Sequence, residues 1–288
     1  KKNNLIILEW TSPIGTTEKI YQFVNEKTRF TSDQVKFAYC PERVLPGNIF
    51  KELVNNDRVI GGLTLEATNQ AKDIYAQICN GNLYATNSKT AEMVKLTENS
   101  FRDINIAFAN ELSIICDQIN IDVNELIKLS NYHPRVNILK PGCGVGGHCI
   151  AIDPWFIASQ FPSITPLIQE ARKVNLNKTC WVIKKIKNTA TNFQKEYGKQ
   201  PLVGCLGLTF KPNIDDVRES PALKIIKELI KEKYKLMVSE PNLVKYENLK
   251  LYNYKEVIQK SDLVFLLVAH KEFKLIKSDN KKIYDFCG

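Results

Sequence analysis

The residues whose types could take part in catalysis or ligand binding are densest in one string, GCGVGGHCIAIDPW, which runs from Gly142 to Trp155. Its glycines permit positive φ angles and close approach of a ligand, so Gly146 and Gly147 are candidate substrate contacts. Cys149 follows them, and Asp153 lies four residues further on, where a helical turn would place both on one face. A thiolate near a carboxylate suits covalent acyl chemistry. The alternative interpretation is a glycine-rich connection that carries a buried structural cysteine.

The same string contains a histidine. His148 precedes the cysteine, but adjacent residues usually point apart, so a loop position is the alternative to a Cys-His dyad. The other two histidines, His133 and His270, are far from it along the chain. This spacing is unlike that of zinc ligands, and we predict no metal site.

Two polar residues four apart, Lys95 and Asn99, fall on one face of a predicted helix, with Glu92 three residues before the lysine. Beside a thiol, such a pair would stabilise a developing oxyanion, and a solvated helix face is the alternative. Glu42 follows a predicted strand within the loop Pro41-Glu42-Arg43. It would place a carboxylate at the carboxyl edge of a sheet, where α/β proteins form their sites, although this loop alone is equally typical of a surface turn.

A second glycine-containing segment, GCLGLTFKP from Gly204 to Pro212, follows an apolar strand. Its spacing is not G-x-G-x-x-G, so it does not predict a dinucleotide site. With Lys211 and Arg218 nearby, the segment suits a diphosphate instead.

Alternating short strands and helices must position these residues. In the first part of the chain we expect a buried strand over 4–9, further strands over 36–39, 58–61 and 83–86, and helices over 17–26 and 65–78. This alternation is typical of a parallel sheet that is covered by helices.

The rest of the chain changes pattern twice. Between 89 and 130 apolar residues recur at helical spacing without proline, which predicts one long helix or two stacked helices. A loop over 131–147 and more helix over 153–191 follow. A second α/β unit is expected next, with strands over 202–206, 235–238 and 263–268 and helices over 220–233 and 254–259. Ser220 and Pro221 predict the N-cap and first residue of one helix.

Composition restricts the function classes. The 288 residues carry a net charge of +9, but the lysines are scattered, which indicates a solvated surface or an anionic substrate rather than a nucleic-acid-binding protein. Eight cysteines without a C-x-x-C pair indicate buried thiols in a reducing compartment. No apolar run reaches the roughly 18 residues of a membrane span. With no signal-peptide pattern at Lys1, we expect a cytoplasmic protein.

In their order along the chain, these segments resemble the UDP-glucose/GDP-mannose dehydrogenase family over nearly all 288 residues. The matching strings are EWTSP from Glu9, CPERVLPG from Cys40, DRVIGG from Asp57, AEMVKLTEN from Ala91, GVGGHCIAID from Gly144, and GLTFK from Gly207 through RES from Arg218. HPRVNIL from His133 and GHCIAIDPWF from Gly147 are most similar to the branch that oxidises UDP-N-acetyl-D-mannosamine.

The resemblance implies an α/β fold in three parts. Residues 1–85 would be the second half of a Rossmann-like NAD-binding domain, 86–195 a central helical dimerisation region that carries the thiol, and 196–288 a Rossmann-like UDP-sugar-binding domain. The implied assembly is a homodimer through the central helix, and the implied ligands are NAD and a UDP-N-acetyl sugar.

The resemblance also implies roles for individual residues. The family oxidises a sugar C6 alcohol twice to a uronate, and here this would proceed through a thiohemiacetal and a thioester on Cys149, in the synthesis of surface polysaccharide precursors. The other implied roles are oxyanion stabilisation by Lys95 and Asn99, positioning of water and proton transfer by Glu42, Asp153 and Thr11, substrate binding by Lys211, cofactor contact by Thr11 and Arg218, and contact with a neighbouring subunit's site by Arg135.

Some features depart from the family pattern. The first strand, glycine-rich turn and acidic ribose-binding residue of the NAD domain would lie ahead of Lys1. From the 288 residues alone we therefore expect UDP-sugar binding, much weaker NAD⁺ binding and little or no turnover. Trp10 stands where a small residue is usual and Cys143 where this branch commonly has proline, whereas Pro46 fits the N-acetyl branch. Three functions remain open: the dehydrogenase, a non-catalytic nucleotide-sugar-binding remnant, and a helical dimerisation module. The epimer of the sugar, mannosamine or glucosamine, is also open.

Overall fold

The structure, a computed structural model, describes residues 4–28, 31, 34–44, 49–274 and 283–287. The chain divides into two compact units. The first consists of Lys1–Ser100 and Asp153–Thr165, and the second of Phe101–Ile152 and Pro166–Gly288. Among the described helices, none combines the length and apolar character that crossing a bilayer requires.

The elements follow one another in the expected order. The N-terminal elements are β1 (Asn4–Leu8), α1 (Thr16–Thr28), β2 (Val35–Tyr39), α2 (Ile49–Asn55), β3 (Arg58–Gly62), α3 (Leu65–Ala76), β4 (Leu83–Asn87) and α4 (Ser88–Ile119). The next three are α5 (Val123–Ser130), α6 (Asp153–Gln160) and α7 (Pro166–Tyr197). The C-terminal elements are β5 (Leu202–Leu206), α8 (Pro221–Lys231), β6 (Lys235–Ser239), α9 (Tyr254–Lys260), β7 (Leu263–Leu266) and β8 (Ile283–Asp285). The predicted α/β fold is confirmed, and β8 is an element that the sequence reasoning missed.

The sheet of the first unit has the order β1-β2-β3-β4, and it differs from the predicted parallel sheet. β1 pairs with β2 and β3 with β4 in parallel, but β2 and β3 are antiparallel through Ala38–Gly62 and Tyr39–Gly61. The expectation of a buried first strand was also wrong, because Leu8 is the only buried residue of β1. β1 lies at the sheet edge, whereas every residue of its neighbour β2 is buried. An apolar pattern predicts a strand without indicating its direction or its neighbours.

The second unit contains a wholly parallel sheet in the order β6-β5-β7-β8. α8 covers one of its faces through Ile225, Ile226 and Leu229, which are fully buried and share a core with Val203 and Cys205 of β5. Each such side chain contributes roughly 1.5–3 kcal/mol to stability. The sheet therefore holds the ends of β5 and β7 rigidly, and these ends carry the loops of the candidate site.

The predicted start of α8 is confirmed. Ser220 is its N-cap, with Oγ accepting the N–H of Leu223 at 3.2 Å, and Pro221 follows as the first helical residue. The Ser220 hydroxyl also donates to the carbonyl of Leu208 at 2.8 Å. The cap thus connects the helix to the loop after β5.

The expectation of buried thiols holds for most of the cysteines. Cys40, Cys116, Cys143, Cys205 and Cys287 are buried. Cys79 and Cys149 are partly exposed, and Cys180 is exposed.

Candidate functional site

Asn99 and Asp153 are brought together in the first unit. Asn99 lies in α4 and Asp153 opens α6, and both are buried. The amide of Asn99 donates a hydrogen bond to Oδ2 of Asp153. Lys95 lies one turn earlier on α4 and is half-buried. The carboxylate therefore fixes the orientation of the amide, on the helix that also carries the lysine.

Glu92, which the helical spacing places near Lys95, has a separate task. It is fully buried, and its carboxylate accepts the N–H groups of Gly15 and Thr17 as well as the Thr17 hydroxyl at 2.7 Å. A carboxylate at this position accepts N–H groups of the first turn of α1 that have no partner within the helix, and its negative charge interacts favourably with the positive end of the helix dipole. Glu92 therefore joins α1 to α4, which positions the loop that precedes α1.

The carboxylate of Glu42 is held within its own loop. Its Oε1 accepts the backbone N–H groups of Arg43 and Val44 at 2.6 and 3.1 Å. The guanidinium of the buried Arg58 lies 4.0 Å from Oε2. The backbone N–H of Glu42 donates to the carbonyl of Glu9 at 2.8 Å, so the loop is anchored to the end of β1. These contacts orient a partly exposed carboxylate, as proton transfer requires. Pro46 of the same string lies outside the described residues.

Thr11 lies half-exposed in the loop after β1, and a buried tyrosine positions that loop. The hydroxyl of Tyr39 donates to the carbonyl of Trp10 at 3.0 Å. Burial, together with the charges of Glu92 and Asp153, raises the pKa of Tyr39 to about 12. Tyr39 therefore stays protonated as a donor. Sequence reasoning missed it, although a hydroxyl-bearing residue at the end of an apolar strand was a usable signal.

In the second unit, the loop before the thiol is anchored at both ends. The side chain of Asn131 closes its beginning, accepting from the N–H of Ile138 at 2.7 Å and donating to the carbonyl of Ile138 at 3.0 Å. At its end, the N–H of Gly142 donates to Oδ1 of Asn110 in α4 at 2.8 Å. Arg135, between these anchors, is exposed. Its predicted reach into a neighbouring subunit stays a prediction.

Gly146 and Gly147 pack against the segment after β5. A Cβ on Gly146 would lie 2.5 Å from the carbonyl oxygen of Glu219. Gly147 has φ of +81°, and its Cβ would lie 2.8 Å from the ring of Phe210. Its N–H donates to the carbonyl of Arg218 at 3.1 Å. These glycines are required for close packing of two loops, and their predicted contact with substrate stays a prediction.

The positions Gly142, Gly144 and Gly147 have the formal spacing G-x-G-x-x-G. In a dinucleotide site this fingerprint follows a strand and opens a helix. Here it lies in the connection after α5, with no strand directly before it. The spacing therefore does not mark a dinucleotide-binding turn.

Cys149 lies half-buried in the turn before α6, where the N–H of Ile152 donates to its carbonyl at 3.0 Å. The backbone of Arg218 lies beside the loop that leads into this turn, because its carbonyl accepts the N–H of Gly147 at 3.1 Å. The pKa of its guanidinium is raised, mainly by the hydrogen bond to Asp216. The guanidinium holds both oxygens of Asp216, which lowers the pKa of that carboxyl. The structure thus brings the Arg218 segment beside the loop that carries the thiol.

A cleft of about 270 Å³ opens in the second unit at the carboxyl ends of β5 and β7. The connection from β5 leads to β6 on one side, and the chain returns to β7 on the other side of β5. Ligands of α/β sheets bind at such a reversal of strand order. The cleft is lined by the segments 140–144, 209–212 and 267–269, and Lys211 is among them. This position suits the diphosphate that the sequence predicts for Lys211.

Cys143 lines the same cleft but differs from Cys149. It is buried, its Sγ donates to the carbonyl of Leu267 at 3.4 Å, and burial raises its pKa to about 12. A thiol with such a pKa stays protonated and unreactive near neutral pH. Cys143 is therefore a packing residue.

No metal-binding cluster of histidine, cysteine or carboxylate side chains occurs among the residues that the structure describes. His148 is exposed, whereas His270 is fully buried and bonded to Glu240.

Comparison with known proteins identifies the family. Three models of the UDP-glucose/GDP-mannose dehydrogenase family match the chain: the NAD binding domain over residues 1–79, the central domain over 89–177 and the UDP binding domain over 204–287. NAD is therefore the cofactor of the family domain that this chain carries.

Individual relatives match over the whole chain. The UDP-N-acetyl-D-mannosamine dehydrogenase of Campylobacter jejuni is 50% identical over 303 residues, which cover 100% of this chain and 73% of the relative. An NDP-N-acetyl-D-galactosaminuronic acid dehydrogenase of Ralstonia solanacearum is 44% identical over 292 residues, which cover 97% of this chain and 68% of the relative. The structure of a UDP-D-ManNAc dehydrogenase from Pyrococcus horikoshii superposes with a TM-score of 0.89 at 36% identity, over 100% of this chain and 69% of that one. The chain belongs to the UDP-glucose/GDP-mannose dehydrogenase family and is an NAD-dependent nucleotide-sugar dehydrogenase.

Proposed function

We propose that this chain is a UDP-N-acetyl-D-mannosamine 6-dehydrogenase, which oxidises the C6 alcohol of its substrate to a carboxylate in the cytoplasm and supplies a surface polysaccharide precursor. The observation that carries the proposal is the half-buried thiol of Cys149 directly after the loop whose Gly147 N–H bonds to the carbonyl of Arg218 at 3.1 Å, in a unit that also holds a cleft of about 270 Å³ lined by Lys211. The relative from Campylobacter jejuni is named for the same sugar.

The first unit offers a residue that fits the cofactor. Thr11 presents a half-exposed hydroxyl in the loop at the carboxyl end of β1, where α/β proteins bind nucleotides. We assign Thr11 and Arg218 to the cofactor. When bound, NAD⁺ supplies the oxidising capacity by accepting hydride.

The remaining residues of the first unit act on the sugar oxygen and on water. Lys95 and Asn99 stabilise negative charge that develops on the C6 oxygen. Asp153 holds the amide of Asn99 in place through its Oδ2. Glu42 and Asp153 position water and accept or return its proton, together with the Thr11 hydroxyl.

The thiol supplies covalent catalysis. After the first oxidation, Sγ of Cys149 attacks C6 of the aldehyde, a C–S bond forms, and the carbonyl oxygen becomes the thiohemiacetal oxygen. The thiohemiacetal then loses its C6 hydride, for which a second NAD⁺ would be the acceptor, and its hydroxyl proton to a base, which gives a thioester. Water then attacks the thioester carbon, the C–S bond breaks, and the carboxylate leaves while the thiolate is regenerated.

Binding of the nucleotide sugar is assigned to the second unit. Lys211 faces the cleft at the ends of β5 and β7, where its ammonium would neutralise a diphosphate. Gly146 and Gly147 allow the sugar to approach the backbone. Arg135 is exposed, as a residue that reaches a neighbouring subunit must be.

We also propose a homodimer through α4. Phe101, Phe108 and Ile115 follow one another at intervals of seven residues on this helix and are 65, 51 and 46% exposed. Seven-residue spacing keeps side chains on one helix face, and such an exposed apolar stripe is typical of a helix-pairing surface. A second copy of the chain is the occupant that we propose.

The deciding experiment compares substrates. We expect NADH formation from UDP-N-acetyl-D-mannosamine, with the uronate as the final product. Faster turnover of UDP-N-acetyl-D-galactosamine would favour the activity for which the Ralstonia solanacearum relative is named. Calorimetric binding of UDP without any NADH formation would favour the alternative, a non-catalytic nucleotide-sugar-binding protein.

A further inference from the structure

A buried carboxylate lies behind the nucleotide cleft and has no role in the chemistry described so far. Glu240 is the first residue after β6, and its side chain is fully buried. Its Oε2 accepts the N–H groups of Leu208 and Thr209 at 2.7 and 3.2 Å. Its Oε1 accepts the N–H of Asn242 at 2.9 Å. Both oxygens are thus bonded to backbone, and two of these bonds reach the turn after β5.

His270 completes this network. It is fully buried, and its Nε2 lies 3.0 Å from Oε2 of Glu240. The backbone N–H of Asn213 donates to its Nδ1 at 2.9 Å. Because Nδ1 accepts, the ring proton of the neutral histidine is on Nε2, which donates to the carboxylate. Glu240 and His270 therefore hold the segment 207–213 at its beginning and at its end.

The segment that they hold is the one that carries Lys211. Within it, the hydroxyl of Thr209 donates to the carbonyl of Lys211 at 3.0 Å. Gly207 begins the segment with φ of +100°, and its N–H donates to the carbonyl of Ser239 at 2.8 Å. Thr209 and Lys211 line the cleft. The network thus determines where the lysine enters the site.

The arrangement differs from that of a dinucleotide-binding βαβ unit. In such a unit, backbone N–H groups after the first strand bind pyrophosphate, and an acidic residue after the second strand binds ribose. β5, α8 and β6 form a unit of this kind, and Glu240 has the position of the acidic residue. Here the acidic residue does not face a ribose, because its carboxylate accepts the N–H groups of Leu208 and Thr209 in the turn itself.

We propose that Glu240, held by His270, is a positioning and specificity residue of the nucleotide site. Its carboxylate bonds to the N–H groups of the β5 turn that could otherwise bind an anion, so this unit does not bind the pyrophosphate of a dinucleotide. It also positions Lys211 to bind the diphosphate of a nucleotide sugar. The inference rests on the proposed function, because it assigns Lys211 to that diphosphate.

The first test uses UDP as the probe, in calorimetric titrations of the whole chain. We expect E240Q to weaken UDP binding about tenfold, because one buried charged acceptor is lost, while the KM for NAD⁺ changes less than about twofold. The matched control is D262N. Asp262 also accepts a backbone N–H of β5, that of Leu202 at 2.8 Å, but at the opposite end of the strand. D262N should lower thermal stability and leave UDP affinity unchanged.

A double-mutant cycle separates positioning from general damage. In a K211M background, E240Q should have no further effect on UDP affinity, because both changes remove the same contact. Additive losses would overturn the positioning role. If the wild-type chain binds no UDP, the proposed function fails, whereas wild-type binding with unchanged affinity in E240Q overturns only the role of Glu240.

Hydrogen exchange of the wild-type chain provides a test without any variant. The N–H groups of Leu208 and Thr209 should exchange slowly without ligand, and UDP or NAD⁺ should slow them no more than the N–H of Val203, a buried residue of β5, because ligand binding stabilises the whole folded unit. Fast exchange without ligand, or protection by a ligand that exceeds that of Val203, would show that a ligand takes these groups and would overturn the proposal.

Discussion

Two cysteines six residues apart show how the environment of a residue decides its chemistry. Cys143 is buried against the carbonyl of Leu267, and burial raises its pKa to about 12. Cys149 is partly exposed in the turn after the loop whose Gly147 N–H bonds to the carbonyl of Arg218. Only a thiolate is an effective nucleophile, so the second cysteine is suited to covalent catalysis and the first is not.

We expect C149S to form no uronate, with turnover below about 1% of the wild type, because a serine hydroxyl is a far weaker nucleophile at neutral pH. C143S is the matched control, since a hydroxyl retains the hydrogen bond to Leu267. NADH formation and the oxidised sugar are measured together. Normal double oxidation by C149S would rule out the assignment of the nucleophile.

The buried carboxylate of Glu240 predicts a pH dependence of stability. Burial raises its pKa, but the hydrogen bonds from His270, Asn242 and Leu208 outweigh burial, so the pKa lies below the ordinary value of a glutamate in the folded chain. A carboxyl whose pKa is lowered by folding stabilises the protein above its unfolded pKa, and this stabilisation is lost as the pH falls through the folded value. The free energies of unfolding of the wild type and E240Q, measured by urea unfolding between pH 7 and pH 3, should therefore converge as the pH falls. A difference that is constant over this range would contradict the prediction.

At the scale of elements, the thiol loop and the segment after β5 are interlocked. Gly146 and Gly147 contact Glu219 and Phe210, and Gly147 also bonds to the carbonyl of Arg218. The segment is in turn fixed by the Ser220 cap. Because rigid elements support both partners, a change in one loop should displace the residues of the other.

We expect G147A to lose about 2–4 kcal/mol of stability, because a side chain at positive φ is strained and its Cβ would overlap the ring of Phe210. G198A is the matched control. Gly198 also has positive φ, +69°, but no atom lies within 4 Å of its Cβ position, so about 1 kcal/mol is expected. Chemical denaturation measures both. Equal losses in the two variants would contradict the steric part of the argument.

At the scale of the whole molecule, an exposed apolar face of α4 predicts the assembly. We expect the wild type to sediment at twice 32.9 kDa at micromolar concentration. F108E should form monomers, because it places a charge in the centre of the stripe. I230E, a change at an exposed apolar residue of α8, should leave the dimer intact. A wild-type mass of one chain would refute the dimer.

The sequence by itself determined the types of the elements, because these depend on local patterns. Helical periodicity predicts α4 and α5, and a serine followed by proline predicts the start of α8. The family strings also place Cys149, Asn99 and Asp153 among the residues of the chemistry. Of these, the structure joins Asn99 to Asp153, and the catalytic roles stay predictions.

Only the tertiary structure decided which groups meet. The antiparallel pairing of β2 with β3 and the exposure of β1 follow from neighbours that periodicity does not encode. Likewise, Glu240 and His270 are 30 residues apart and come together because β6 and β7 both end beside β5. An apolar pattern shows that a segment is buried, but a buried charge is stable only with partners that the packing of distant segments provides.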